Sequence, residues 1–311
     1  MVIGNNMNEL ATDIKNLELE TLKNLRNSKS ANTLRAYESD YKDFSFFCGK
    51  NNFSSLPADP KILSLYLTHL SQTSKFSTLK RRIASISVIH KLKGYYIDTK
   101  HPVIRENLLG IKRIKGSNQK AKKPILINDL KKIIDVISTL DIKEIRQVRD
   151  KALILIGFAG GFRRSELVAL ENDDVEFVRE GVKIFVKRSK TDQSGEGMTK
   201  AIPSFDSVSY CPVLHLQDWM AKGKSKNNRI FPISDKSVAI IIKKYTNLVG
   251  LDGNKYAGHS LRSGFATSTA ESGAEERNIM AMTGHKTTQM VRRYIKEANL
   301  FKNNALNKIK I

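Results

Sequence analysis

Four short stretches of this chain carry side chains suited to holding an anion or moving a proton. In Gly160-Gly-Phe-Arg-Arg-Ser-Glu-Leu167, two glycines end one helix and an arginine opens the next. Free backbone N–H groups and a guanidinium then face the same space, which is an anion site in outline. Lys190 stands in Arg-Ser-Lys-Thr-Asp, on a polar turn where an exposed ammonium can reach a ligand. His259-Ser-Leu-Arg262 sets an imidazole and a guanidinium three residues apart, on one face of a helix start. Gly284-His285 is followed nine residues on by Tyr294. Singly each is commonplace: an arginine at a helix start is usually a surface residue, and a tyrosine near a chain end usually packs. The order and spacing of all four together carry the information.

The elements that must position these groups read as a mixed unit. Apolar periodicity predicts helices over residues 128–140 and 148–159 and a short one over 163–169. Strands are expected at 175–178, 182–187 and 198–202, with a polar turn at 189–197 holding Gly195 and Gly197. Helices then return at 208–220, 235–249, 260–272, 275–282 and 287–294. The expected fold is mainly α with a small antiparallel sheet.

Upstream lies an all-helical unit. Ser30-Ala-Asn-Thr is a capping stretch ahead of Leu34, Tyr37, Tyr41, Phe44 and Phe47, an aromatic stripe at helical spacing that reads as core. Asp59-Pro60 caps and starts a helix carrying Ile62, Leu63, Tyr66, Leu67 and Leu70. A third helix carries Leu79, Ile83, Ile86 and Ile89, and a shorter one runs from Pro102 through Leu108. Six of the thirteen residues in 112–124 are basic, with no hydrophobic period, so this stretch reads as a flexible linker. The expected layout is a frayed start (1–15), a helical domain (16–111), the linker (112–124), a second domain (125–296) and a tail helix (297–311).

Composition narrows the partner class. The 311 residues hold 53 Lys plus Arg against 31 Asp plus Glu, a net charge of +22. Residues 1–126 contribute +12 and the remainder +10, so both parts are basic. Nucleic acid is the natural partner, because each phosphate neutralised releases condensed counterions. A hydrophobic content of 40% excludes a wholly disordered chain. No apolar run reaches the length of a membrane span. Residues 1–15 include acids and no apolar run, so no secretory leader is expected. Cys48 and Cys211 supply neither a disulfide framework nor a zinc finger, which suits a reducing cytosol. His69, His90, His101 and His215 match no pattern and read as surface or core residues.

In its order of motifs the chain resembles the tyrosine recombinase (phage integrase) family, in the layout of its simpler Xer-like and Cre-like members, from Ser30-Ala-Asn-Thr-Leu-Arg-Ala-Tyr to Tyr294. The resemblance implies a helical core-binding domain followed by a catalytic domain. It places catalytic roles on Arg163, Lys190, His259, Arg262, His285 and Tyr294, with Glu166 as the acid that steadies the site, paired with Arg163 or a histidine. Phe162, where leucine or methionine is commoner, and the second arginine at Arg164 are local departures.

What the resemblance implies is a DNA integrase or site-specific recombinase, acting through a covalent 3′-phosphotyrosine with no metal, cofactor or ATP. Arg163 and Arg262 would hold the phosphate oxygens with forked donors, and His285 would add a hydrogen bond. Lys190 would protonate the leaving 5′-oxygen and His259 would serve Tyr294. Lys75, Lys80, Arg81, Arg82, Lys112, Arg113, Lys115, Lys120, Lys122 and Lys123 are the expected DNA contacts. The partners would be double-stranded DNA and further copies of the chain, a tetramer on two sites with the tail helix docked on a neighbour. The expected place is the cytoplasm, at the nucleoid of a bacterium or with a mobile element. Two rivals differ in outcome. A type IB topoisomerase would nick and close any supercoiled DNA, and a catalytically silent DNA-binding protein would be indifferent to Tyr294→Phe.

Overall fold

Apolar stripes at helical spacing do become helices, and the chain divides into two compact units, Met1–Lys120 and Ala121–Ile311. The computed structural model describes residues 14–21, 23–25, 27–117, 121–189, 192, 195–223, 227–298 and 305–309.

Beyond the helical residues at 14–21, 23–25 and 27, the first unit holds the helices α1 (Ala31–Lys50), α2 (Pro60–Ser71), α3 (Phe76–Leu92) and α4 (Pro102–Lys115). Ser30 caps α1 through a bond from the Thr33 N–H, and Asp59 caps α2 through one from Lys61. Phe44, Cys48, Leu63, Tyr66, Leu79, Ile86 and Ile104 close the core, with the Phe44 and Tyr66 rings 5.1 Å apart. The aromatic stripe is therefore core, as its spacing predicts. His90 is fully buried and spends both ring nitrogens internally, on Ala58 N and Ile86 O.

Part of the expected linker is helix, and its residues 118–120 lie outside the described residues. Lys112, Arg113 and Lys115 form the last turn of α4, where cations favour the helix's carbonyl end, and Gly116 ends it at φ 71°. Residues 121–126 are extended, with Lys123 N and Ile125 N donating to the carbonyls of Lys255 and Ser260. A charge run without hydrophobic period hid both facts, because backbone bonds, the Lys122 ammonium on Asn254 O and the single buried Ile125 hold this stretch.

The second unit opens with α5 (Ile127–Thr139) and α6 (Glu144–Ala159). Buried residues run continuously over α6 from Ala152 to Phe158, making it the central rod of the core. The short α7 (Arg164–Leu167) leads to strands β1 (Val175–Val178), β2 (Gly181–Val186) and β3 (Met198–Pro203), antiparallel in the order β1-β2-β3. Then come α8 (Pro212–Lys222), α9 (Asp235–Leu248), α10 (His259–Glu271), α11 (Glu276–Thr283) and α12 (Thr288–Ala298). A buried bond from Tyr245 to Asp150 at 2.6 Å fastens α9 to α6. The fold is thus mainly helical with one small antiparallel sheet. Among the described residues no helix is long and apolar enough to cross a membrane.

Candidate active site

Two backbone devices build the floor of the site. Gly161 ends the turn after α6 at φ 54°, a conformation that favours glycine, and this aims its carbonyl at α10. On α10, Gly264 lies so close to Ile125 that an added Cβ would sit 1.9 Å from that residue's carbonyl oxygen. The extended segment at 121–126 and α10 can meet only because no side chain intervenes.

Arg262 projects from α10 into this floor and is only 1% exposed. Its Nη1 donates to Gly161 O at 2.9 Å, while its Nη2 has no partner among the described residues. Burial, and then the charge of Arg163, lowers its pKa to about 10, against the pull of Glu166 and Tyr294. Arg163 is the N-cap of α7, and the Glu166 carboxylate receives both its backbone N–H (2.9 Å) and its Nη1 (2.5 Å). Glu166 is itself buried, so it fixes Arg163 without competing for solvent. Arg164 points elsewhere, to Asp235 at 3.3 Å. Of the two adjacent arginines, Arg163 is the one in the site.

His259 and Tyr294 come from α10 and α12, and His259 Nε2 lies 3.3 Å from the Tyr294 hydroxyl. Although part of the His259 ring reaches solvent, dehydration and then the charges of Arg262, Arg163 and Arg293 lower its pKa. His285 sits just beyond α11, its ring centroid 6.0 Å from that of Tyr294. Burial, followed by the charges of Arg262 and Arg163 and lesser pushes from His259 and Lys200, takes its pKa down to about 4. The tautomer follows from Thr283. That hydroxyl donates its one hydrogen to Ile279 O at 2.5 Å, so at 2.7 Å it must accept from His285 Nδ1. In the neutral ring, Nε2 is then an acceptor.

Arg163, Glu166, His259, Arg262, His285 and Tyr294 therefore occupy one neighbourhood in the second unit. Lys190 lies outside the described residues, as does Lys120. The sequence reading missed Lys200. It is 1% exposed, and its Nζ donates to Gly160 O at 2.7 Å and to Met282 O, with the Phe162 ring centroid 4.7 Å away. Burial lowers its pKa to about 7, opposed by Glu166 and reinforced by Arg262 and Arg163. The period of two along β3 held the signal, since Lys200 shares its face with Ile202. Among the described residues no cluster of three or more His, Cys, Asp or Glu could hold a metal.

In the first unit, Lys75, Lys80, Arg81, Lys112, Arg113 and Lys115 are exposed, and so are Lys122 and Lys123 in the second. Lys75 and Lys115 line one hollow together with Thr73 and Ser74. Arg82 is different. Its side chain is 16% exposed and pairs with Asp40 (3.3 Å) and Asp43 (3.2 Å), while Arg81 also bonds Asp40. A buried carboxylate must be paired, so the Arg82 guanidinium is engaged inside its own unit.

Residues 125–300 match the phage integrase family. Across 308 residues the chain is 40% identical to an integrase/recombinase xerD homolog of Selenomonas ruminantium, covering 94% of this chain and 89% of that protein. It is 26% identical to the tyrosine recombinase XerD of Staphylococcus haemolyticus, over 84% of this chain and 87% of the relative. In fold it is similar to a XerH site-specific recombinase bound to a palindromic difH substrate, with a TM-score of 0.60 at 18% identity over 79% of this chain and 73% of that one. A lambda integrase dimer on a COC′ core site gives 0.59 at 17% identity, over 94% and 99%.

Proposed function

Since the chain belongs to the phage integrase family, we propose that its second unit breaks and rejoins DNA at a defined site through a covalent bond to Tyr294. The chain is a tyrosine recombinase acting on DNA. The observation that supports this placement of the chemistry is Arg262, a buried guanidinium whose Nη2 has no partner among the described residues. A buried donor without a partner costs free energy unless a ligand receives it, and a phosphate oxygen is the ligand that fits a fork.

In this reading Arg262 and Arg163 receive the non-bridging oxygens of the scissile phosphate. The Tyr294 oxygen attacks phosphorus in line, the bond to the 5′-oxygen breaks, and a 3′-phosphotyrosine and a free 5′-hydroxyl result. Exchanging one phosphodiester for another keeps the ester energy, so a second attack by a 5′-hydroxyl reseals the strand. His259, kept neutral by its surroundings, takes the tyrosine proton at Nε2. Lys190 is the assigned donor to the leaving oxygen. His285 donates to the phosphate only as imidazolium, because its Nδ1–H is spent on Thr283. The arriving negative charge favours that protonated form.

The exposed Lys75, Lys80, Lys112, Arg113 and Lys115 would follow the phosphate backbone beside that site. The active assembly would be a tetramer on two sites in the bacterial cytoplasm, with the stretch beyond α12 docked on a neighbour. In the described part of that stretch, Leu306 and Ile309 are exposed.

The test is covalent trapping. Nicked duplexes tiled from the DNA flanking the coding gene are incubated with the protein in EDTA and run on a denaturing gel. An adduct on one sequence that vanishes with Tyr294→Phe is expected. An adduct on every duplex points to a topoisomerase, and none on a duplex shown to recombine in cells overturns the assignment.

A further inference from the structure

A lysine facing inward from a strand is an expensive choice, because an ammonium in a core loses its hydration. Lys200 stands opposite Ile184 in the β2–β3 register, among positions that are otherwise apolar. Among the described residues its ammonium makes no ion pair. What it holds is backbone. Two successive carbonyls of the turn after α6 each accept from a cation, Gly160 from Lys200 and Gly161 from Arg262. The second carbonyl that Lys200 takes is that of Met282, at the end of α11. Carbonyls of a last helical turn have no partner within the helix and carry its negative end, so a cation is well placed there. Met282 immediately precedes Thr283, whose hydroxyl fixes the ring of His285.

We propose that Lys200 is a positioning residue of strand transfer: its ammonium bolts the turn that precedes Arg163 to the end of the helix that precedes His285, and so sets both groups against Arg262. The two segments are 122 residues apart in the chain, and the β3 ammonium bonds to both. The Phe162 ring roofs the ammonium, so the residue between the glycines and Arg163 belongs to the same fastening. The inference rests on the proposed chemistry at Tyr294 and adds to it a residue outside the set of six.

Lys200→Met keeps the buried stem and removes the donors. Full-length protein would be compared with the variant on the duplex identified by trapping, for affinity and for single-turnover cleavage at saturating DNA. Each would be run with an ordinary scissile phosphate and with a 5′-bridging phosphorothiolate, whose thiolate leaving group needs no proton. Affinity within about threefold is expected, with cleavage lowered about 10²-fold on both substrates, the scale of a small misplacement of reacting groups. A defect seen only with the oxygen leaving group would make Lys200 a proton donor and overturn the proposal. Unchanged cleavage would make it a filler and also overturn it. Should Lys200→Met fail to fold, Lys200→Gln, whose uncharged amide stops one atom short of the ammonium's place, carries the same comparison. No adduct with the unsubstituted protein would instead strike the chemistry at Tyr294, and is distinguishable from either result.

Discussion

Two sites, one in each unit, hold positive charge in opposite ways. In the first, Arg82 meets Asp40 and Asp43, Arg81 meets Asp40, and the Ser85 hydroxyl completes the Asp40 carboxylate at 2.7 Å. In the second, Arg262 and Lys200 are more deeply buried and are met by the carbonyls of Gly160, Gly161 and Met282. Carbonyl oxygens satisfy N–H groups and do not cancel charge. Glu166, the carboxylate whose charge acts on both, is bonded to Arg163. The first arrangement is closed and serves stability. The second leaves a positive field that an anion completes, and its cost appears in the lowered pKa values of Arg262, Lys200, His259 and His285.

If that contrast is right, substitutions in the two units should fail differently. The largest effect expected is on chemistry. Arg262→Gln should lower single-turnover cleavage by roughly 10²–10³-fold, the usual loss for one preorganised oxyanion donor, with DNA affinity little changed. Equal losses of rate and affinity would mean that Arg262 merely binds.

Asp40→Ala comes next and should act on stability alone. Removing one partner of a buried pair strands the other, and here about 3 kcal/mol is expected because Arg81 keeps access to water. Urea unfolding measures it, and cleavage per folded molecule should be unaltered. A catalytic loss without a stability loss would erase the contrast.

Acid should weaken the second unit. His285, with its pKa pushed down to about 4, stays neutral in the folded chain while an unfolded histidine protonates near 6.5. The unfolded state then binds more protons, so stability falls as the pH drops from 6.5 towards 4. Melting of His285→Gln against the parent over that range should show a reduced slope. By the same logic, binding of the target duplex at neutral pH should take up a proton at His285, read as a buffer-dependent binding enthalpy.

The smallest effect belongs to the exposed lysines of the first unit. Lys80→Ala should weaken binding to all sequences alike and reduce the salt slope by about one. Arg82→Ala should instead lower the stability of its unit.

Much of this was readable from the chain, for identifiable reasons. The aromatic stripe of α1 and the caps at Ser30 and Asp59 follow from local rules, and both appear as expected. The strands and the helices around the site follow from periodicity, and six of the seven residues assigned to it lie together in the second unit, Lys190 being outside the described residues. What escaped depends on contacts between distant parts. The order at 121–126 comes from backbone bonds to Lys255 and Ser260, and α4 continues through Lys115 because cations suit its end. The commitment of Arg82 required knowing that Asp40 lies opposite it across the α1–α3 contact. Lys200 looked like one basic residue among 53, and only its inward register in β3 marked it out.

If the uncompensated cations of the second unit neutralise the scissile phosphate, removing the phosphate's charge should offset removing a cation. Arg262→Ala should be compared on two versions of the target duplex, one with the natural linkage and one with a neutral methylphosphonate at the scissile position. Severe loss of cleavage is expected on the charged linkage and substantial recovery on the neutral one, since the charge to be balanced is gone. An equal loss on both linkages would contradict this, and would assign Arg262 to structure rather than to the phosphate.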